Sequence, residues 1–130
     1  MATKVLLIED DEGIRTTIGL FFQVVLPEVR FLASHLGEAG VALALDETPD
    51  IILLDLGLPD INGFEVIRRI RRRLSTPIIV LTARREEGTR ERCLELGADH
   101  FLPKPFHHRD MVACVNQVLT RPRTGHRVEA

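Results

Sequence analysis

The chain has 130 residues, of which 45% are hydrophobic and 28% charged, and its formal net charge is -2 at pH 7. This length suits one domain with a substantial core, and the small negative charge argues against a surface built to bind polyanions. Six phenylalanines are the only aromatic residues, which leaves little material for stacking on nucleic-acid bases. The two cysteines, Cys93 and Cys114, share no metal-binding spacing, so we expect a reduced, cytoplasmic protein. We expect no signal peptide, and no apolar run approaches the length of a membrane span.

The first half of the chain alternates strand and helix signals. A fully apolar run at residues 5–8 is typical of a buried parallel strand. Apolar residues at helical spacing then predict a helix over 11–25, and Asp11 is placed to cap it. A proline ends this helix, after which we predict a short edge strand at 29–33 and a second helix at 38–47.

The second half repeats this alternation three times. The remaining strands are predicted at 51–54, 78–81 and 99–102, and the remaining helices at 64–73, 86–96 and 109–119. Gly97 is typical of the residue that ends a helix. The polar segment 121–130 is predicted to be a flexible tail, or the start of a linker to an effector domain that the chain lacks.

This alternation predicts an α/β domain over residues 1–120. Five βα units favour a doubly wound, parallel five-stranded sheet, (βα)5, with helices on both faces and the strand order 2-1-3-4-5. The strand order reverses between the first and third strands. Open α/β sheets place their ligand sites at the carboxyl edge at this point, and Asp10 and Asp55 follow those two strands.

Polar residues follow four of the five predicted strands. Glu9 and Asp10 come after the first strand, Asp55 after the third, Thr82 after the fourth, and Lys104 after the fifth. Because the strands are predicted to be parallel, we expect these side chains to meet at one edge. Carboxylates, a hydroxyl and an ammonium are the groups that phosphoryl chemistry uses.

Over residues 4–119 the chain resembles a response-regulator receiver domain of two-component signalling. Its closest resemblance in motif is to receivers that are joined to winged-helix transcription factors. The resemblance rests on four motifs that occur in this order: Glu9-Asp10-Asp11, Leu53-Leu54-Asp55-Leu56-Gly57-Leu58-Pro59-Asp60 with Gly63, Leu81-Thr82-Ala83, and Gly97-Ala98-Asp99 leading to Lys104-Pro105-Phe106.

The resemblance implies that Asp55 accepts a phosphoryl group from the phosphohistidine of a sensor kinase. A carboxylate can attack phosphorus and form an acyl phosphate. It further implies a Mg²⁺ (or Mn²⁺) site made by Glu9, Asp10, Asp55 and the backbone carbonyl of Gly57, because this ion takes hard oxygen ligands and bridges to phosphate. Asp11 is interpreted as a helix cap rather than a ligand.

Three further residues take roles from the resemblance. Lys104 would neutralise charge on the phosphoryl oxygens, and the Lys104-Pro105 bond is a candidate cis peptide. Thr82 would be the switch hydroxyl, although a threonine is also a common strand residue. Phe101 would be the switch aromatic, and packing in the core is an equally good interpretation of that residue.

The implied protein is a signalling receiver rather than a turnover enzyme. It would phosphorylate and dephosphorylate itself with Mg²⁺, and phosphorylation would shift the surface of the fourth helix, fifth strand and fifth helix. The expected partners are a sensor histidine kinase and a second copy of the chain on that surface. DNA would be bound only through an absent effector domain, in control of transcription. His100, Cys114 and Asn116 depart from the charged residues usual at this surface.

Several alternatives are weighed against this interpretation. A phosphatase of the haloacid-dehalogenase type needs a second aspartate where this chain has Gly57, and a flavodoxin needs a glycine- and hydroxyl-rich first loop, which here is acidic. A receiver used only for docking would not need the full set of site residues. The arginines at 68–73 could form a nucleic-acid patch, but the solvated face of a helix is the simpler interpretation. A metal role for His107 and His108 is weak without a third ligand.

Overall fold

A computed structural model describes residues 2–84 and 86–120, and within them strands and helices alternate. The strands are β1 (Lys4–Ile8), β2 (Arg30–Ser34), β3 (Ile51–Leu54), β4 (Ile78–Thr82) and β5 (His100–Pro103). The helices are α1 (Glu12–Val25), α2 (Gly37–Glu47), α3 (Gly63–Arg71), α4 (Thr89–Glu95) and α5 (His108–Leu119). In the described part of the chain no helix is long and apolar enough to cross a membrane.

The strands form one parallel sheet in the order β2-β1-β3-β4-β5, which confirms the predicted topology. The register pairs Ile8 with Leu54, the last residues of β1 and β3. The residues that follow these two strands therefore emerge side by side, at the point where the strand order reverses. The predicted tail, 121–130, lies outside the described residues.

The central strand β3 is buried at every position because helices cover both faces of the sheet. Ile52 and Leu54 face a core layer closed by α2, α3 and α4, whereas Ile51 and Leu53 face a layer closed by α1 and α5. Strands that are buried on both faces need continuous apolar runs, as the sequence has here. The sheet is held on both sides, and the loops at its carboxyl edge are the part that can reach a ligand.

The structure differs from the prediction at the start of the fourth helix. The predicted helix begins at residue 86, but α4 begins at Thr89, after Gly88 with a φ of 85°. A positive φ does not fit a right-handed helix, so 86–87 precede the helix. At the other end Gly97 has a φ of 113° and ends the helix region, as predicted.

The arginine-rich third helix, α3, makes side-chain contacts with distant parts of the fold. The side chain of Arg71 is only 19% exposed; its Nε donates to the carbonyl of Gly97 at 3.0 Å, and its Nη2 pairs with Asp99 at 3.1 Å. Arg69 pairs with Glu65 one turn earlier at 3.0 Å. The interpretation of this run as a solvated helix face is therefore wrong for Arg71, whose contacts lie 26 and 28 residues away in the chain.

The loop after β3 is tied to two helices by side-chain caps. Asp60 accepts hydrogen bonds from the backbone N–H groups of Gly37 and Glu38, at 2.8 and 2.9 Å, at the start of α2. Asn62 accepts from the N–H of Phe64 at 2.8 Å and caps α3. The first N–H groups of a helix have no partner within it, so these bonds stabilise the helices and fix the loop that follows Asp55.

Replacing Asp60 with alanine removes the acceptor for two helix N–H groups, and we expect a loss of about 1 kcal/mol in the free energy of unfolding at neutral pH. The N–H groups of Glu38 and Gly37 hold the pKa of Asp60 below its ordinary value of 3.8. Because the pKa of Asp60 is lower in the folded state, its ionised carboxylate stabilises the fold at pH values above 3.8. This contribution is lost as the pH falls through the pKa that Asp60 has in the folded state. The difference between wild type and Asp60→Ala should therefore shrink below pH 3.8.

Urea denaturation at neutral pH and below the ordinary pKa checks this prediction. Asp60→Asn is the matched control, because it keeps one acceptor oxygen and should retain part of the stability. Equal stability of Asp60→Ala and wild type at neutral pH would contradict the role of this cap.

Candidate functional site

Backbone hydrogen bonds between neighbouring strands set the positions of the loops that carry the site. Asp55 follows β3 directly, and its N–H donates to the carbonyl of Ile8 in β1 at 2.9 Å. The N–H of Lys104, just after β5, donates to the carbonyl of Thr82 in β4 at 2.9 Å. Each of these residues therefore continues the sheet by one hydrogen bond before the chain turns, and its side chain starts from a fixed point.

Three carboxylates gather at this edge. Each of Glu9, Asp10 and Asp55 offers a carboxylate oxygen, and these oxygens all lie within 4.8 Å of one another. Glu9 is 2% exposed and Asp55 is 8% exposed, whereas Asp10 faces solvent. Carboxylate oxygens are the ligands that Mg²⁺ prefers in proteins, so the donor set fits a hard divalent cation.

The ammonium of Lys104 lies against this cluster. Its Nζ is 2.6 Å from Oε1 of Glu9 and 3.8 Å from Oδ1 of Asp55. The Lys104-Pro105 peptide bond is cis, as the sequence suggested. The structure therefore brings together four of the predicted site residues, from loops that are separated by up to 95 positions in the chain.

Burial and crowding determine the protonation of Glu9. Burial raises the pKa of this carboxyl above its ordinary value, the hydrogen bond from Lys104 opposes the rise, and the negative charge of Asp55 adds to it. A divalent cation beside these carboxylates would reduce the repulsion between their negative charges.

The remaining predicted residues surround the cluster in different ways. Thr82 is 2% exposed, and its Oγ1 accepts a hydrogen bond from the N–H of Arg84 at 3.2 Å. A Cβ built on Gly57 would lie 3.6 Å from Oδ2 of Asp55, so this glycine borders the carboxylate of Asp55. Phe101 is half-buried and packs against the apolar layer of α2, α3 and α4.

Two contacts near the site were missed by reasoning from the sequence. Nη1 of Arg15 donates to the carbonyls of both Glu9 and Asp10, at 2.8 Å each. A sequence signal exists, because Arg15 is a cation in the first turn of a helix, where the helix dipole disfavours positive charge. Such a residue needs a specific partner.

The second contact is a stack of two guanidinium groups on one ring. Arg84 and Arg92 lie 5.2 and 4.5 Å from the ring centroid of Phe64, and Arg84 also pairs with Glu86 at 3.1 Å. Guanidinium groups are attracted to aromatic faces. The stack joins the start of α3 to α4, beside the loop that follows Thr82.

The fold and the site define a flavodoxin-like (βα)5 domain with an acidic pocket at its topological switch point. The chain belongs to the family of response regulator receiver domains, whose model matches residues 5–116. Receiver domains of this family belong to the response regulators of two-component systems.

The most similar relatives include transcriptional regulators. The chain is 45% identical over 118 residues to the transcriptional regulatory protein AfsQ1 of Streptomyces coelicolor, a match that covers 91% of this chain and 52% of the relative. It is 39% identical over 118 residues to the transcriptional regulatory protein CpxR of Klebsiella pneumoniae, covering 91% and 50%. The chain thus spans about half the length of the curated relatives it matches.

Solved structures agree with the fold. The BeF3-activated N-terminal receiver domain of RstA from Klebsiella pneumoniae superimposes with a TM-score of 0.85 at 24% identity, over 92% of this chain and all of that chain (100%). At this level of identity the likeness concerns the arrangement of strands and helices alone.

Replacing Lys104 with methionine keeps an unbranched side chain but removes the ammonium from Glu9, which is buried. Breaking a buried ion pair from one side costs about 3 kcal/mol, and we expect a loss of this order in the free energy of unfolding at neutral pH. The loss should be smaller at about pH 4.5, the ordinary pKa of a glutamate. Without the hydrogen bond from Lys104 the pKa of Glu9 rises further, so less unpaired negative charge is left in the site at that pH.

The chain contains a matched control, because its only other lysine is Lys4. Lys4 pairs with Glu47 at 3.2 Å with both side chains about one-third exposed, and such pairs contribute less than about 1 kcal/mol. Chemical denaturation of Lys104→Met and Lys4→Met at both pH values compares the two. Equal, small losses in the two variants would contradict the buried pair.

Proposed function

We propose that this receiver is the phosphoacceptor of a two-component phosphorelay, with Asp55 as the residue that is phosphorylated. The observation that carries the proposal is the packing of Asp55 against two further carboxylates, within 4.8 Å, and against the ammonium of Lys104, at 3.8 Å. This arrangement supplies a nucleophile, oxygen ligands for a metal and a cation for the phosphoryl oxygens. Phosphoryl transfer is catalysed mainly by such positioning and charge neutralisation.

Mg²⁺, or Mn²⁺ in its place, is the metal that the donor set fits. Asp10, Asp55 and the backbone carbonyl of Gly57 would hold it, with Glu9 bound directly or through water. The bound ion supplies neutralisation of charge on the acceptor and on the phosphoryl group. Asp10 is the exposed member of the cluster, so it is the ligand that an ion arriving from solvent would meet first.

In the proposed reaction a carboxylate oxygen of Asp55 attacks the phosphorus of a phosphohistidine. The new O–P bond gives an acyl phosphate while the P–N bond breaks, and the imidazole of the kinase leaves with its electron pair. The ammonium of Lys104, which lies 2.6 Å from Glu9 and 3.8 Å from Asp55, would move from Glu9 towards a phosphoryl oxygen. Attack by water on phosphorus later breaks the O–P bond and returns the carboxylate of Asp55 and inorganic phosphate. In this proposal the lifetime of the acyl phosphate carries the signal, and the chain acts as a signalling module rather than as a turnover enzyme.

We infer that Thr82 transmits the phosphorylation of Asp55 to the protein surface. Its hydroxyl now accepts from the N–H of Arg84, and it would turn to donate to a phosphoryl oxygen. The loop after β4 would move with Thr82, and Phe101 would move with that loop. Phe101 lines a groove of about 380 Å³ between the loop, α4 and β5. The surface that responds is then α4, β5 and α5. Phosphorylation acts on it like a ligand, because it shifts the equilibrium between two conformations.

The partners follow from this role. A sensor histidine kinase supplies the phosphoryl group, and in the full-length protein an effector domain attached to the receiver would bind DNA and control transcription. The chain has two cysteines, and Cys93 is a buried thiol outside any disulfide. A buried thiol suits the reducing cytoplasm, and we place the relay there.

Phosphorylation of Asp55 is tested with small phosphoryl donors. The chain is incubated with acetyl phosphate or phosphoramidate, with Mg²⁺ or with EDTA, and its intact mass is measured. We expect wild type to gain the mass of one phosphoryl group with Mg²⁺ and none with EDTA. Asp55→Asn should gain none, because an amide is not a nucleophile for phosphorus.

Asp46→Asn is the matched control, since Asp46 is an exposed aspartate of α2, outside the loops that carry the site. It should be phosphorylated like wild type. If wild type binds Mg²⁺ but gains no mass from either donor, the proposal fails and the chain is a receiver used for docking.

We further propose a phosphorylation-dependent homodimer through α4, β5 and α5. This surface exposes Arg90 on α4 and Asp110 on α5, opposite charges that two copies related by a twofold axis could pair. With Mg²⁺ and beryllofluoride as the phosphoryl substitute, we expect sedimentation velocity to show a dimer that Asp110→Arg weakens. Asp46→Arg, on the exposed part of α2, should leave the dimer unchanged. A monomer at every concentration of the beryllofluoride-treated chain would contradict this proposal.

A further inference from the structure

Arg15 holds the backbone of the loop that carries the acidic pair. Its Nη1 lies 2.8 Å from the carbonyl oxygen of Glu9 and 2.8 Å from that of Asp10. In an extended strand successive residues alternate in direction, so a single nitrogen does not reach two successive carbonyls. Both carbonyls here point to the same guanidinium, which means that the chain has left the extended path directly after β1.

This bend is what allows two neighbouring carboxylates to serve one site. In a continuing strand the side chains of Glu9 and Asp10 would point to opposite faces of the sheet. Their carboxylate oxygens instead lie within 4.8 Å of each other and of Asp55. The geometry of the cluster therefore depends on the backbone conformation that Arg15 contacts.

The contacts of Arg15 suit a role in support of the ligands. Within residues 2–84 and 86–120, Arg15 donates hydrogen bonds to carbonyl oxygens only, so it takes none of the carboxylate oxygens that a metal needs. A charged donor makes the stronger kind of hydrogen bond, which offsets the unfavourable place of a cation in the first turn of α1. The bend has other supports, because the N–H of Asp11 donates to Oε2 of Glu9 at 3.3 Å and the N–H of Glu9 donates to Ser34 at 2.9 Å.

We propose that Arg15 is a positioning residue for the metal site: its guanidinium fixes the bend that turns the carboxylates of Glu9 and Asp10 towards Asp55. This inference rests on the proposed function, which makes those carboxylates metal ligands. Residues that orient metal ligands typically change metal affinity by about 10- to 100-fold when they are replaced.

Titration calorimetry with Mn²⁺ tests the inference on the intact chain. We expect Arg15→Met to bind Mn²⁺ about 10- to 100-fold more weakly than wild type. Arg15→Lys should recover part of the affinity, because an ammonium can still donate to the carbonyls. The control is Arg30→Met. Arg30 lies in β2 beside Lys4, the first residue of β1 and thus at the end away from the site, and it pairs with Glu47 at 3.3 Å. This variant should bind Mn²⁺ like wild type.

Urea denaturation of the metal-free proteins separates positioning from general stability. A positioning role predicts that Arg15→Lys regains affinity and that Mn²⁺ affinity falls in Arg15→Met while most molecules remain folded. Wild-type affinity in Arg15→Met would overturn the inference and leave the proposed function intact. Failure of the wild-type chain itself to bind Mn²⁺ would overturn the proposed metal site, and the inference with it.

Discussion

The contact between Lys104 and Glu9, at 2.6 Å, is the interaction on which the site depends. Three carboxylates at one edge of a sheet repel one another, and two of them, Glu9 and Asp55, are almost fully buried. Burial raises the pKa of Glu9 above its ordinary value. One ammonium offsets part of this cost and also joins the first loop of the chain to the last. The remaining excess of negative charge is what a divalent cation would neutralise, and this neutralisation would let an anionic phosphoryl group approach Asp55.

The rest of the fold keeps these groups in place. Apolar strands with helices on both faces leave the sheet little freedom to shift, and the backbone of Asp55 is bonded directly to β1. The loops that leave this edge are held from outside the site: Asp60 ties the loop after β3 to α2, and Arg15 ties the loop after β1 to α1. A rigid sheet whose loops are fixed at their bases holds reactive groups in a defined geometry.

The fold was predictable because each buried strand is a short apolar run and each helix has apolar residues at helical spacing. The gathering of Glu9, Asp10, Asp55 and Lys104 followed from strand order alone, since parallel neighbours end at the same edge. What the sequence did not reveal depends on backbone angles and contacts between distant residues. Gly88 delays α4 through a positive φ. Arg71 is drawn inward by partners 26 and 28 residues away, and the role of Arg15 depends on how the loop bends.

A crystal structure of the chain grown with Mg²⁺ and beryllofluoride would test the central claim most directly. The account predicts beryllium bonded to a carboxylate oxygen of Asp55, Mg²⁺ held by Asp10 and Asp55, and Nζ of Lys104 moved from Glu9 to a fluoride. A structure in which both ions bind elsewhere, or in which Asp55 remains bare while Lys104 stays on Glu9, would contradict it.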